Sequence, residues 1–131
     1  MSQTLPLITV LVVNDQLPVC KLWQQLIDKT PGMNCPAYAL DGDAAIEIVR
    51  EIQPDIVLMD ILMPGMRGDE AMHIIQAEFP QTIVVMYSAD SSTEHIARDA
   101  GALEFILMPI LPSELITTLR RIYREAHGYV W

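Results

Sequence analysis

Three residues in this chain carry the most chemical promise: Asp60, Asp15 and Ser88. Asp60 ends an unbroken apolar run, Ile56 to Met59, bounded by Pro54 and by the Pro64-Gly65 breaker. A short run of β-formers between such breakers predicts a strand buried on both faces. Asp60 then sits at the carboxyl end of that strand, the edge of an open α/β sheet where ligands bind. Asn14-Asp15 follows a first run, Leu7 to Val13, and Ser88 follows a later one, Thr82 to Tyr87. If these strands are neighbours, their polar ends converge. Two carboxylates about 4 Å apart, at an effective dielectric near ~20, repel by about 4 kcal/mol. A hard cation removes that cost, and Mg2+ is the usual choice where one or two carboxylates share an octahedron with a phosphate. A carboxylate beside such an ion is also a nucleophile toward a phosphoryl group, with the Ser88 hydroxyl available to donate to a phosphoryl oxygen. The plainer alternative is that Asp15 and Ser88 cap the helices that follow them and that Asp60 starts a turn.

The whole chain must supply the elements that place these groups. Its 131 residues suit one domain with a core of its own. Hydrophobic residues make up 51% of it, which excludes a disordered chain. They fall in short runs, none long enough to span a bilayer, and no basic segment precedes the first run as in a signal peptide. A cytoplasmic protein is expected. The net charge of −9 argues against direct nucleic-acid binding by this domain. Acidity also has a simpler use, keeping an apolar-rich domain soluble. Cys20 and Cys35 have neither metal-ligand spacing nor a disulfide framework and read as two reduced thiols.

In chain order, Leu7 to Val13 is the first strand. Leu17-Pro18 opens a helix with Val19, Leu22, Trp23, Leu26 and Ile27 as its buried face, stopped by Thr30-Pro31-Gly32. Met33 to Leu40 is a second strand, and Pro36 places it near a sheet edge. Asp41-Gly42-Asp43 starts a helix carrying Ala45, Ile46, Val49 and Ile52, after which comes the Asp60 strand. A loop, Met63 to Gly68, precedes a helix from Gly68 or Asp69 to about Glu78, with Ala71, Ile74, Ile75 and Ala77 available to pack. After the Thr82 to Tyr87 strand, Ser91 and Glu94 have capping-box spacing and open a short helix to about Asp99. Glu104 to Leu107 is the fifth strand. Pro112 begins a last helix, with Leu115, Ile116, Leu119, Ile122 and Tyr123 inward and Gly128 at its end. Five β-α repeats with short connections predict a parallel sheet with right-handed crossovers and helices on both faces.

With these elements in place, the chain resembles the CheY-like receiver domains of two-component response regulators. The resemblance runs from Leu7 to Glu125. It is most specific in Pro54-Asp55-Ile56-Val57-Leu58-Met59-Asp60-Ile61, Met63-Pro64-Gly65-Met66 and Gly68, with Asp41-Gly42, Ala100-Gly101-Ala102 and Met108-Pro109 as further landmarks. It implies a single receiver domain over 1–131, with a core at about 7–127 and 128–131 as a tail or the start of a linker. The chain is then a stand-alone receiver or the receiver of a longer regulator. The implied fold is flavodoxin-like, α/β and doubly wound: five parallel strands in the order 2-1-3-4-5, flanked by five helices. Residue by residue, Asp60 matches the phosphoacceptor, Asp15 a direct Mg2+ ligand, the Leu62 backbone carbonyl the third protein ligand and Ser88 the switch hydroxyl. Phe105 matches the aromatic switch position, and Pro109 a proline usually preceded by a cis bond.

Two departures stand out. Asn14 replaces the first acid of the family's pair and is expected to be a weak or water-mediated ligand. Met108 replaces a lysine that pairs with the phosphoryl group, and offers neither charge nor donor. Together with Leu62, Met108 is expected to make the site drier. Arg67, in place of a common acid, reads as peripheral. Two readings follow: a phosphorylatable receiver with altered kinetics, or an atypical receiver that works as a phosphorylation-independent interaction module. An enzyme is not expected. Phosphatases of the haloacid-dehalogenase type need an acid two residues past the nucleophile, where this chain has Leu62, and Asn14 to Pro18 lacks the phosphate-cradling glycines or hydroxyls of a flavin site. The implied partners are a histidine kinase or phosphotransfer domain, or a second copy of the chain. The implied surface is formed by Ile96, Phe105 and the outward side of the last helix, where Arg120, Arg121 and Arg124 cluster; a solvated helix face is the simpler account of that cluster. His73, His95 and His127 lie on different predicted helices and read as structural. Met63 and Met66 flank the Asp60 loop, within reach of a kinase partner or as core filling.

Overall fold

The computed structural model describes residues 7–128. Leu5 and Pro6, and all of the expected 128–131 tail except Gly128, lie outside the described residues. Five strands and five helices alternate: β1 (Ile8–Val13), α1 (Leu17–Asp28), β2 (Met33–Ala39), α2 (Gly42–Ile52), β3 (Ile56–Asp60), α3 (Gly68–Glu78), β4 (Ile83–Ser88), α4 (Glu94–Ala100), β5 (Glu104–Leu107) and α5 (Pro112–His127). All sheet pairings are parallel, in the order β2-β1-β3-β4-β5. This is the expected flavodoxin-like arrangement.

Alternation along the strands divides the core. Val10, Val12, Ile56, Leu58, Val85 and Tyr87 face α1 and α5. Leu11, Val13, Val57, Met59, Val84 and Met86 face α2, α3 and α4. The three central strands are therefore apolar on both sides, which is why they read as continuous runs. β2 is an edge strand, as Pro36 requires, and its register with β1 slips between Thr9 and Leu11.

Some details differ from expectation. On α1, Cys20 and Ile27 are buried while Leu22 is 64% exposed; a short helix against a twisted sheet buries a narrower stripe than its apolar residues could fill. On α3 the buried positions are Ala71, Met72 and Ile75, with Ile74 and Ala77 outward. Ile52 also faces out. The capping box expected at Ser91 is not formed. The Asp90 carboxylate accepts from the Ser92 amide at 2.9 Å and caps a 3-10 turn, Ser91–Thr93, ahead of α4. Carboxylate and hydroxyl caps are equivalent signals one residue apart, and the carboxylate is the stronger acceptor.

Candidate functional site

The strand ends do converge. Asp60 closes β3 and lies level with Tyr87 of β4. Val13 lies level with Met59, so Asn14, one residue on, comes level with Asp60. Asn14, Asp15, Gln16, Asp60, Tyr87, Ala89, Met108 and Pro109 line one open cavity of about 410 Å3, whose other wall is Val19, Leu22, Trp23 and Ile110. A larger cavity, about 540 Å3, lies at the opposite edge of the sheet around Pro80, Thr82 and His127 and holds none of the site residues.

Asp60 is held from two sides. Its Oδ1 accepts from the Leu62 amide at 3.2 Å, and its Oδ2 lies 3.4 Å from Asn14 Nδ2. Burial, then the nearby Asp15 charge, push its carboxyl up to about 6, against the opposing pull of the Leu62 amide. At neutral pH the group is still mostly ionised. The raised value has a consequence for stability. The native state disfavours the charged form, so the penalty is absent below the unfolded value of ~3.9, grows through pH 4 to 6, and is full above about 6. Without added metal, Asp60→Asn is expected to be more stable than wild type by about 1–2 kcal/mol at pH 7, after discounting for solvent around a half-buried group. The difference should vanish below about pH 4 in urea unfolding.

The donor set suits a hard cation. Asp15 is exposed and does not cap α1; Gln16 holds that position, without a side-chain bond. Asp15 and Asp60, the two carboxylates lining the cavity, are oxygen donors of the kind Mg2+ completes with water or phosphate oxygens. Among the described residues no group of three or more His, Cys, Asp or Glu side chains could hold a metal by itself.

Asn14 is buried beside Asp60. Its Oδ1 accepts from the Gln16 amide at 2.8 Å, and its NH2 is what faces Tyr87 and Asp60. The amide so turned offers Asp60 a donor. Ser88 is buried and its Oγ accepts from the Asp90 amide at 3.1 Å, leaving its own proton to donate. Ser88 therefore ties the loop after β4 without capping a helix. Phe105, level with Met86, packs on the α2–α4 side of the sheet. The Met108–Pro109 bond is cis, as the resemblance implied. Met108 packs against the α1–α5 side of the core. Leu62 is 47% exposed, so it does not dry the site; the apolar wall is supplied by Trp23 and Met108 instead. Gly68 donates its amide to the Ile61 carbonyl at 2.9 Å, drawing the loop onto the end of β3.

Other candidates resolve as structure. Arg67 pairs with Asp69 at 2.8 Å and helps cap α3. The basic cluster on α5 disperses: Arg120 donates to the Pro31 carbonyl at 2.7 Å, whereas Arg121 pairs with Glu104 at 2.6 Å and with Glu125. His73 and His95, on different helices, line one groove between α3 and α4 with Asp69 and Asp99. His127 stacks on Tyr123, ring centroids 4.1 Å apart. Cys20 and Cys35 are buried free thiols, and burial pushes Cys35 up to about 12. Tyr87 is a polar participant that its surroundings in the sequence conceal, because it stands inside an otherwise apolar strand.

The response regulator receiver domain family matches residues 10–120. The chain belongs to that family. Chemotaxis protein CheY of Thermotoga maritima is 33% identical over 115 residues, covering 86% of this chain and 95% of that protein. A protein-glutamate methylesterase/protein-glutamine glutaminase of the same organism is 34% identical over 105 residues, 78% of this chain. This receiver domain spans only 30% of that relative's length. Among solved structures, a CheX-CheY-BeF3-Mg2+ complex from Borrelia burgdorferi is similar with a TM-score of 0.80 and 27% identity, covering 88% of this chain and 89% of that one. No helix among the described residues is long and apolar enough to cross a membrane.

Proposed function

We propose that this receiver domain accepts a phosphoryl group on Asp60 from a phosphohistidine of a histidine kinase or phosphotransfer domain, and so switches a partner-binding surface. The observation that carries this reading is Asp60 itself: a half-buried carboxylate at the end of the central strand, sharing one cavity with Asp15. An Asp60 oxygen attacks phosphorus, the P–N bond breaks, and the donor imidazole keeps the electron pair and takes up a proton. Asp15, Asp60 and the Leu62 carbonyl would hold Mg2+, which when bound offsets the charge gathered around the phosphoryl oxygens. Ser88 then turns its proton to a phosphoryl oxygen, and that movement is read by Phe105 and the surface of α4, β5 and α5. Through this surface a second copy of the chain could dock. The role is that of a cytoplasmic signalling module without an output activity or nucleic-acid contact of its own.

The second reading, an interaction module independent of phosphorylation, is favoured by one observation: Met108 packs into apolar surroundings and brings no donor to the site. Trp23 on the cavity wall separates the two readings. In a Trp131→Phe background it is the sole tryptophan. The phosphoacceptor reading expects a saturable Trp23 fluorescence change on adding Mg2+, lost in Asp15→Asn, and a further slow change on adding acetyl phosphate, lost in Asp60→Asn. No response to either addition would favour the second reading. Met108→Lys is expected to restore a charge-assisted bond worth about 1.5–3 kcal/mol, raising the extent of phosphorylation by about tenfold or more at limiting donor; intact mass measures it.

A further inference from the structure

Tyr87 is buried, with its ring T-shaped against Trp23 at a centroid distance of 4.9 Å. Its hydroxyl donates to the Val13 carbonyl at 2.8 Å and accepts from Asn14 Nδ2, also at 2.8 Å. That same nitrogen lies 3.4 Å from Asp60 Oδ2. The Asn14 oxygen is occupied by the Gln16 amide at 2.8 Å. Each assignment forces the next. The phenol proton is committed to Val13, so the phenol oxygen accepts. The Asn14 oxygen is committed to Gln16, so its NH2 must face inward. One of its two protons goes to Tyr87, and the other points toward Asp60.

We propose that Tyr87 is a positioning residue for Asp60, acting through Asn14. The phenol fixes the amide so that its second N–H is aimed at the acceptor carboxylate and, after transfer, at the phosphoryl group. Met108 borders the same cavity and supplies no donor, whereas this uncharged relay from Val13 through Tyr87 and Asn14 brings one to Asp60. The inference rests on the reading of Asp60 as phosphoacceptor.

Tyr87→Phe keeps the ring against Trp23 and removes only the hydroxyl. Asn14→Ala removes the amide. With Mg2+ and acetyl phosphate, each single variant is expected to shorten the lifetime of the phosphoryl adduct by about three- to tenfold. The double variant should be no worse than the worse single one, because both act through one contact. A lower melting temperature with unchanged adduct lifetime, or effects that multiply, would overturn the proposal. NMR of the Asn14 side-chain NH2 tests it without any phosphoryl transfer. The two protons should be well separated in wild type and collapse toward each other in Tyr87→Phe; resonances unmoved by that change would overturn the proposal on their own. Separated, Tyr87-dependent resonances in a wild-type protein that never forms an adduct would instead count against the phosphoacceptor reading alone.

Discussion

Asp60→Asn is expected to reduce phosphoryl acceptance by more than about a thousandfold while leaving the domain folded. The amide is close to isosteric with the carboxylate and fits the half-buried space at the end of β3, its oxygen on the Leu62 amide and its NH2 toward the Asn14 NH2, a donor-to-donor contact that trims the gain in stability. It lacks the anionic oxygen that forms the bond to phosphorus. Most single substitutions cost stability. This one should gain it at neutral pH, because the charge that burial and Asp15 disfavour is gone. Loss of the adduct together with a higher unfolding midpoint separates chemistry from folding. Retained labelling would mean that another side chain accepts the phosphoryl group, and intact mass after exposure to acetyl phosphate reads the outcome directly.

Gly68→Ala is expected to damage both fold and site. A Cβ at Gly68 would lie 2.2 Å from the Asp60 backbone oxygen and 3.0 Å from both the Asp60 carbonyl carbon and the Ile61 Cα. Every one of these neighbours is backbone, so no side chain can rotate away. Either the end of β3 moves, taking Asp60 out of line with Asn14 and Tyr87, or the Gly68 amide gives up its bond to Ile61. Overpacking against a fixed backbone costs about 3 kcal/mol or more. Urea unfolding should show that loss, and the fraction still folded should label poorly. Gly65→Ala offers a contrast: nothing lies within 4 Å of its Cβ, and only the positive φ of 79° resists the change. Its cost should stay near ~1 kcal/mol, with labelling retained.

The core of this site could be read from the sequence because Asp15, Asp60 and Ser88 each end an apolar run, and a parallel sheet brings such ends to one edge. What could not be read depends on cross-strand register and on side-chain rotamers. Tyr87 looked like one more core residue, since only the pairing of β3 with β4 sets its hydroxyl beside Asn14. Asn14 was legible as a departure but not as a donor, because the direction of its amide is fixed by the Gln16 amide and the Tyr87 phenol. The α5 arginines formed a cluster in sequence. In space their partners lie on different elements, Pro31 for Arg120 and Glu104 for Arg121. On α1 the apolar spacing points to Leu22 and passes over Cys20, yet the sheet buries Cys20 and leaves Leu22 exposed.

Asp60 is proposed as the residue that carries the phosphoryl group. Its most direct test is to incubate wild-type protein with Mg2+ and acetyl phosphate, reduce the acyl phosphate with borohydride, and map the peptides by mass. One modified residue is expected, Asp60 converted to homoserine, in the peptide that spans β3. Reduction at Asp15, or a stable phosphate ester at Ser88 with Asp60 untouched, would contradict it.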